Sequence, residues 1–177
     1  MNAWWMRLTG GRWTRGQYLL RGLVLVLPQV AIWLTRASGT PPDPKLALLV
    51  LGLSVYAALQ PEAAASVVLL GVVVAWWGLA FRDLSHPAMM LAAACVLATH
   101  VCLTLAAYGP ASLPVDRALV LLWVRRGLLV YLPVPLLYLG AIRLQDQPAP
   151  PGMWVFGMFC VLGAAVGATL LYPQGAE

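Results

Sequence analysis

The side chains best suited to chemistry lie inside long apolar stretches: His100 and the adjacent pair Arg125 and Arg126. A histidine there could relay protons, contact a substrate, bind a metal or haem, or form a neutral hydrogen bond to a neighbouring helix. The arginine pair could bind lipid phosphates, an anionic substrate or a partner's acidic residue, or could anchor a helix end among the headgroups. Ionisable groups inside a membrane are costly, so these three residues are the first candidates for function.

The acidic residues are all predicted to lie in turns, loops or the tail: Asp43, Glu62, Asp83, Asp116, Asp146 and Glu177. Proton- and cation-coupled transporters usually need an ionisable group at mid-membrane depth. No acid or second histidine accompanies His100 in an apolar stretch, which disfavours a metal site. Catalysis needs at least two cooperating polar groups, and no zinc-protease, P-loop or serine-hydrolase motif is present. We therefore predict no catalytic residue, no cofactor, no metal ligand and no enzymatic activity.

The amino-acid composition predicts an integral membrane protein. Of its 177 residues, 62% are hydrophobic and 10% are charged. A water-soluble protein of this length could not hide so much apolar surface. The predicted fold class is all-α, a polytopic transmembrane helical bundle of about six spans. A basic, aromatic interfacial segment is predicted at 1–16, a single transmembrane domain at 17–172 and a short tail at 173–177. The predicted spans within the transmembrane domain are at about 17–35, 46–59, 63–81, 88–108, 127–142 and 153–172.

The fifth predicted span is irregular because arginines and prolines interrupt it. We expect a short surface-lying helix over Arg117–Arg126, followed by a kinked span over 127–142. Pro133 and Pro135 could produce a plain kink, or could break the helix as in transporters whose binding sites use unwound segments. The span count falls to five if 46–59 is re-entrant or if the first segment lies along the surface.

Small residues suggest how the spans pack. One face of the fourth span carries a four-residue repeat of small side chains, which lets helices approach closely. The other face carries His100 with mostly small neighbours, so we expect this histidine to point into the bundle rather than at lipid. In the sixth span, Gly163 and Gly167 form a GxxxG motif that supports close helix contact, within one subunit or between subunits.

Basic residues indicate the surroundings and the orientation. The net charge is +5, and four arginines crowd the amino end among tryptophans. This pattern fits a bilayer with anionic headgroups better than nucleic acid. We expect a multi-pass protein of the inner (plasma) membrane, with a cytoplasmic amino end. That orientation follows from the distribution of arginine and lysine between the predicted inner and outer loops.

Short motifs add a resemblance. The region 83–143 contains Leu84-Ser85-His86-Pro87, Tyr108-Gly109-Pro110 and Trp123-Val124-Arg125-Arg126. It resembles uncharacterised small multi-span membrane proteins of actinobacteria, some of which are encoded beside MoxR-type ATPases and von Willebrand factor A-like proteins. The resemblance covers about a third of the chain, implies a bacterial source and a membrane partner role, and transfers no active-site residue.

These observations are compatible with two functions. The leading interpretation is a noncatalytic integral membrane subunit that docks or stabilises membrane partners, either another membrane protein or further copies of itself. The alternative is a small transporter or channel component that acts as an oligomer, with the fifth span and His100 lining the path. Fixed partners in co-purification favour the first, and substrate flux through the purified protein favours the second.

Overall fold

The computed structural model describes residues 14–80, 86–108 and 115–144, and every regular element in these ranges is helical. The chain divides into compact units at 1–142 and 143–177, and the bundle described below belongs to the first. Its elements are α1 (Arg15–Trp33) with a 3₁₀ turn (Leu34–Ser38), α2 (Pro44–Leu59), α3 (Ala64–Ala80), α4 (Ala88–Ala107), α5 (Arg117–Tyr131) and α6 (Pro133–Leu144).

Local sequence signals define several helix ends. Asp43 caps α2 by accepting a 2.8 Å hydrogen bond from the backbone N–H of Lys45, and proline occupies the first turn. Asp116 caps α5 in the same way through the N–H of Ala118 at 3.0 Å. After the 3₁₀ turn, Gly39 adopts a left-handed backbone with φ of 85°, a conformation that glycine reaches without the penalty other residues incur.

The first four helices pack together. α1 contacts α2, α3 and α4, while α5 contacts α4. The start of α1 meets the end of α2, and the end of α1 meets the end of α3, so α1 runs antiparallel to α2 and parallel to α3. At the start of α1, Gly16 approaches Val115 so closely that an added Cβ would lie 3.1 Å from the valine Cγ2. This contact brings the segment before α5 beside the start of α1.

The apolar side chains lie on both the inside and the outside of the bundle. The buried core consists mainly of small or branched residues such as Val24, Ala31 and Val73. Large aliphatic side chains remain exposed on the surface, including Val67 at 74% and Leu79 at 79%. Helices that are apolar all round are typical of membrane spans, since lipid replaces water around the outer face.

By length and composition, three described stretches could cross a membrane: Arg15–Ser38, Ala88–Ala107 and Arg117–Gly140. α2 and α3 are apolar but have only 16 and 17 residues. At 1.5 Å per residue they extend about 24–26 Å, less than the roughly 30 Å hydrocarbon core. The structure therefore supports three candidate spans where the sequence predicted six, and the sixth predicted span, with Gly163 and Gly167, lies outside the described residues.

The fifth predicted span differs from expectation. α5 continues without a break through Gly127 to Tyr131, so the helix does not end at Arg126. The interruption falls at Leu132, directly before Pro133, because proline has no N–H to donate to the preceding turn. Leu132 itself keeps helical dihedral angles, and a continuous apolar helical stretch runs through it from Arg117 to Gly140. No residue of α5 is buried.

Candidate functional site

His100 lies on the exposed surface of α4, so the expectation that it points into the bundle is wrong. The buried face of α4 instead carries Thr99, Cys102, Leu103 and Ala106. Small residues occur all around this helix, so the sequence alone did not distinguish the packed face from the open one. The backbone carbonyl of His100 accepts a 2.9 Å hydrogen bond from the hydroxyl of Thr104.

His100 lines a groove between α3 and α4. Its volume is about 460 Å³, and except for the imidazole its lining is almost entirely apolar. Trp77 and Met89 lie at one end of the lining, with Val74 and Leu97 between them and the histidine. The groove therefore presents a single polar group in open apolar surroundings. A ligand or neighbouring helix could bind there by filling the groove and hydrogen bonding to the imidazole.

A second polar cluster lies where α1 meets α2, and the sequence interpretation missed it. Arg21 and Gln17, one turn apart on α1, are only 8% and 3% exposed. The guanidinium Nη1 of Arg21 donates to the carbonyl of Ala58 and, at 3.2 Å, to that of Leu59. Its Nε donates to Oε1 of Gln17 at 3.5 Å. These carbonyls are among the last of α2, where intrahelical donors run out, so Arg21 caps that helix.

The sequence contained a signal for this contact. Arg21 was grouped with the arginines of the amino end as a membrane-surface anchor, yet it falls four residues inside the first predicted span. A charged side chain inside a span needs a partner, and backbone carbonyls at a helix end are one available kind. Beside the cluster, a pocket of about 290 Å³ is lined by Tyr18, Arg21, Gly22, Leu25, Val55, Ala58 and Leu59. The cluster therefore combines a structural cap with a small, mostly apolar recess.

Two tryptophans of α3 join the opposite end of α1. Trp77 is buried and donates from Nε1 to the carbonyl of Ala31 at 2.9 Å. Trp76 donates to Oγ1 of the fully buried Thr35 at 3.4 Å, and that hydroxyl donates to the carbonyl of Ile32 at 2.7 Å. Tryptophans near the end of an apolar helix are typical of an interfacial aromatic belt. The indole N–H groups of Trp76 and Trp77 instead connect α3 to the end of α1.

The arginine pair lies on α5, beside the end of α4. Arg125 and Arg126 are both exposed, and Cζ of Arg126 lies 5.8 Å from the ring centroid of Trp123. The Trp123 ring in turn packs against Tyr108, with centroids 5.9 Å apart and planes tilted by 56°. We call Tyr108, Trp123, Arg125 and Arg126 the aromatic–arginine cluster. It places two cations and two aromatic rings at the carboxyl end of α4.

The two predicted prolines lie at the start of α6. Pro133 begins the helix, and Pro135 is half-buried in its first turn. One turn earlier, the hydroxyl of Tyr131 donates a 2.9 Å hydrogen bond to the carbonyl of Met90 near the start of α4. The prolines therefore mark a helix interruption next to an interhelix contact. The described residues around them form no unwound binding loop.

The described residues contain no cluster of three or more histidine, cysteine, aspartate or glutamate side chains that could hold a metal ion. The candidate groups form four sets, of which the first and third share Trp77: the histidine groove, the Arg21 cap, the tryptophan contacts and the aromatic–arginine cluster. Each combines one or two polar groups with apolar surroundings, a composition suited to helix contact or lipid contact. No family model, curated protein or solved structure matches the chain.

Proposed function

We propose that this chain is a noncatalytic membrane subunit that docks to another membrane protein and stabilises it. In this proposal it is a multi-pass protein of the inner (plasma) membrane with its amino end in the cytoplasm. The observation that carries the proposal is the exposed His100 in the apolar groove between α3 and α4.

The position of His100 provides the argument. It lies thirteenth in the 20-residue α4, close to the middle of a candidate span. Polar side chains inside membranes nearly always face the protein interior or a water-filled cavity and find a hydrogen-bond partner. A histidine facing out from the described helices would gain such a partner from a helix of another subunit. The groove supplies an apolar surface on which that helix could pack.

A photocrosslinking experiment tests the proposal. A photoreactive amino acid is placed at Ala93, which is exposed in the groove, and separately at Leu48, which is 68% exposed on α2 and outside the groove. After irradiation of membranes from the source cell, the groove position should give a discrete protein adduct, and Leu48 should give lipid adducts only. Lipid adducts at both positions would contradict docking through this surface.

A His100→Ala variant provides the functional comparison. We expect it to be made and inserted normally but to lose the adduct and the co-purifying partner, because the imidazole that would hydrogen bond to the partner helix is gone. The alternative function, a small oligomeric transporter or channel component, predicts a different result. In that case the photocrosslink would join two copies of the chain, so the adduct would have twice the mass of one chain. The purified protein alone would also transport substrate across the membrane of a liposome.

A further inference from the structure

We infer that the aromatic–arginine cluster is a binding site for the phosphate of an anionic phospholipid. The inference shares the membrane location of the proposed function but does not depend on a docking partner. The first observation is the position of the cluster along the membrane normal. Tyr108 is the residue at which α4 ends, and Trp123 packs against it. Since α4 is one candidate span, its end marks a membrane boundary, where tyrosine and tryptophan are enriched.

Arg125 and Arg126 follow Trp123 within one turn of α5, and the Trp123 ring contacts Tyr108 at that boundary. Gly127 packs beside Val101, with an added Cβ 3.5 Å from the valine side chain, so α5 lies against α4 directly after Arg126. Long arginine side chains at such a depth extend toward the headgroups while their methylene groups contact apolar surface. The guanidinium groups can therefore reach the layer in which lipid phosphates lie.

The charge of the cluster calls for an anion. Among the described residues, the nearest carboxylate along α5 is Asp116, which caps the helix nine residues before Arg125. That spacing corresponds to roughly 13 Å along the axis, well beyond ion-pair distance. No other described residue forms an ion pair with either arginine. A phosphate matches the forked geometry of a guanidinium, and two N–H groups can bind it at once.

The surroundings favour a lipid over a soluble anion. Tyr108 is 58% exposed, and Trp123 supports Arg126 from one side. Leu122 and Leu129 are exposed on the same helix and offer surface for an acyl chain. Residues adjacent in a helix point about 100° apart, so Arg126 would bind the phosphate beside the rings and Arg125 would face a second one. A headgroup and its hydrocarbon chain would thus both find contacts here.

Native mass spectrometry of the full-length purified chain in detergent tests the inference, with phosphatidylglycerol and phosphatidylcholine as probes. We expect phosphatidylglycerol to bind more tightly. We expect Arg126→Gln to weaken that binding about fivefold, the equivalent of about 1 kcal/mol for one basic residue at a membrane surface. Arg117→Gln, on the same helix but outside the cluster, is the control and should change it less than twofold. Arg126→Lys should retain the preference for the anionic lipid.

Several results would overturn the lipid site. Equal binding of the two lipids would do so, as would equal losses in the Arg117 and Arg126 variants. Displacement of phosphatidylglycerol by inorganic phosphate alone would indicate a soluble-anion site instead. If Arg126→Gln fails to fold, the lysine variant decides the matter, since loss of lipid preference in a folded, still cationic variant contradicts the inference. Failure of the chain to partition into membranes at all would instead contradict the proposed membrane function.

Discussion

Arg21 and Ala58, 37 residues apart in the chain, are joined by a hydrogen bond from the guanidinium to the backbone carbonyl. A second bond from the same nitrogen reaches Leu59 at 3.2 Å. One side chain of α1 therefore satisfies two carbonyls at the end of α2. A carbonyl left without a donor in an apolar setting costs free energy, so this contact stabilises the antiparallel pairing of the two helices.

Replacing Arg21 should weaken that pairing. Arg21→Met keeps much of the side-chain length but removes every donor. We expect the free energy of unfolding to fall by about 1–3 kcal/mol, because the carbonyls of Ala58 and Leu59 lose their partner. Thermal unfolding in detergent, followed by circular dichroism, measures the change. Arg15→Met, at the exposed start of the same helix, is the control, and an equal loss there would show that the α2 cap is not the cause.

Two buried serines should respond in opposite directions. Ser54 is fully buried, and its hydroxyl has no hydrogen-bond partner among the described residues, whereas the hydroxyl of Ser66 donates to the carbonyl of Pro61 at 2.9 Å. Removing an unsatisfied buried hydroxyl is neutral or stabilising, and removing a bonded one costs about 1 kcal/mol. We therefore expect Ser54→Ala to hold or raise the unfolding temperature and Ser66→Ala to lower it. The reverse order would mean that Ser54 has a partner in solution.

Trp77→Phe should loosen the contact between α3 and the end of α1. The substitution removes the Nε1 donor from the carbonyl of Ala31 and leaves a small void, for a loss of about 1–2 kcal/mol. Thermal unfolding of the variant beside Trp33→Phe provides the comparison, since Trp33 is 47% exposed. Similar unfolding temperatures for the two variants would argue that the indole N–H contributes little.

Tyr131→Phe should release α5 from α4 without unfolding the bundle. The hydroxyl bond to the carbonyl of Met90 is one of the few polar contacts of a helix with no buried residue. We expect faster amide hydrogen exchange within 117–131 and little change within α1. Tyr56→Phe is the matched control, because its hydroxyl donates at 3.2 Å to Oε1 of Gln60, one turn later at the end of the same helix, and so joins no two helices. Uniform acceleration in all helices would indicate global destabilisation instead.

The sequence predicted helix positions better than helix surroundings. Pro41 and Pro42 lie between α1 and α2, Pro44 begins α2, and Pro61 lies between α2 and α3, close to the boundaries predicted for the first three spans, since proline acts locally. Whether His100 points into the bundle or away from it could not be predicted in the same way. α4 has small residues on every side, so its apolar pattern does not distinguish one face from another.

The same limit applies to the polar contacts between helices. Trp76 and Trp77 fit an interfacial belt as well as they fit a buried contact, because tryptophan combines an apolar body with one donor. Arg21 was assigned to the surface by its basic neighbours, and only the position of the α2 end shows where its donors go. For Arg125 and Arg126, the sequence identified the pair but not the rings of Tyr108 and Trp123 beside it.

The bond between Arg21 and the α2 carbonyls also bears on biogenesis. An unpaired Arg21 inside α1 would disfavour entry of that helix into lipid, and carbonyls without donors would disfavour entry of α2. Each of these free-energy costs falls when the other helix is present, because Arg21 and the α2 carbonyls then hydrogen bond to each other. For a chain that inserts into a bilayer as proposed above, α1 and α2 would therefore enter together more readily than either helix alone.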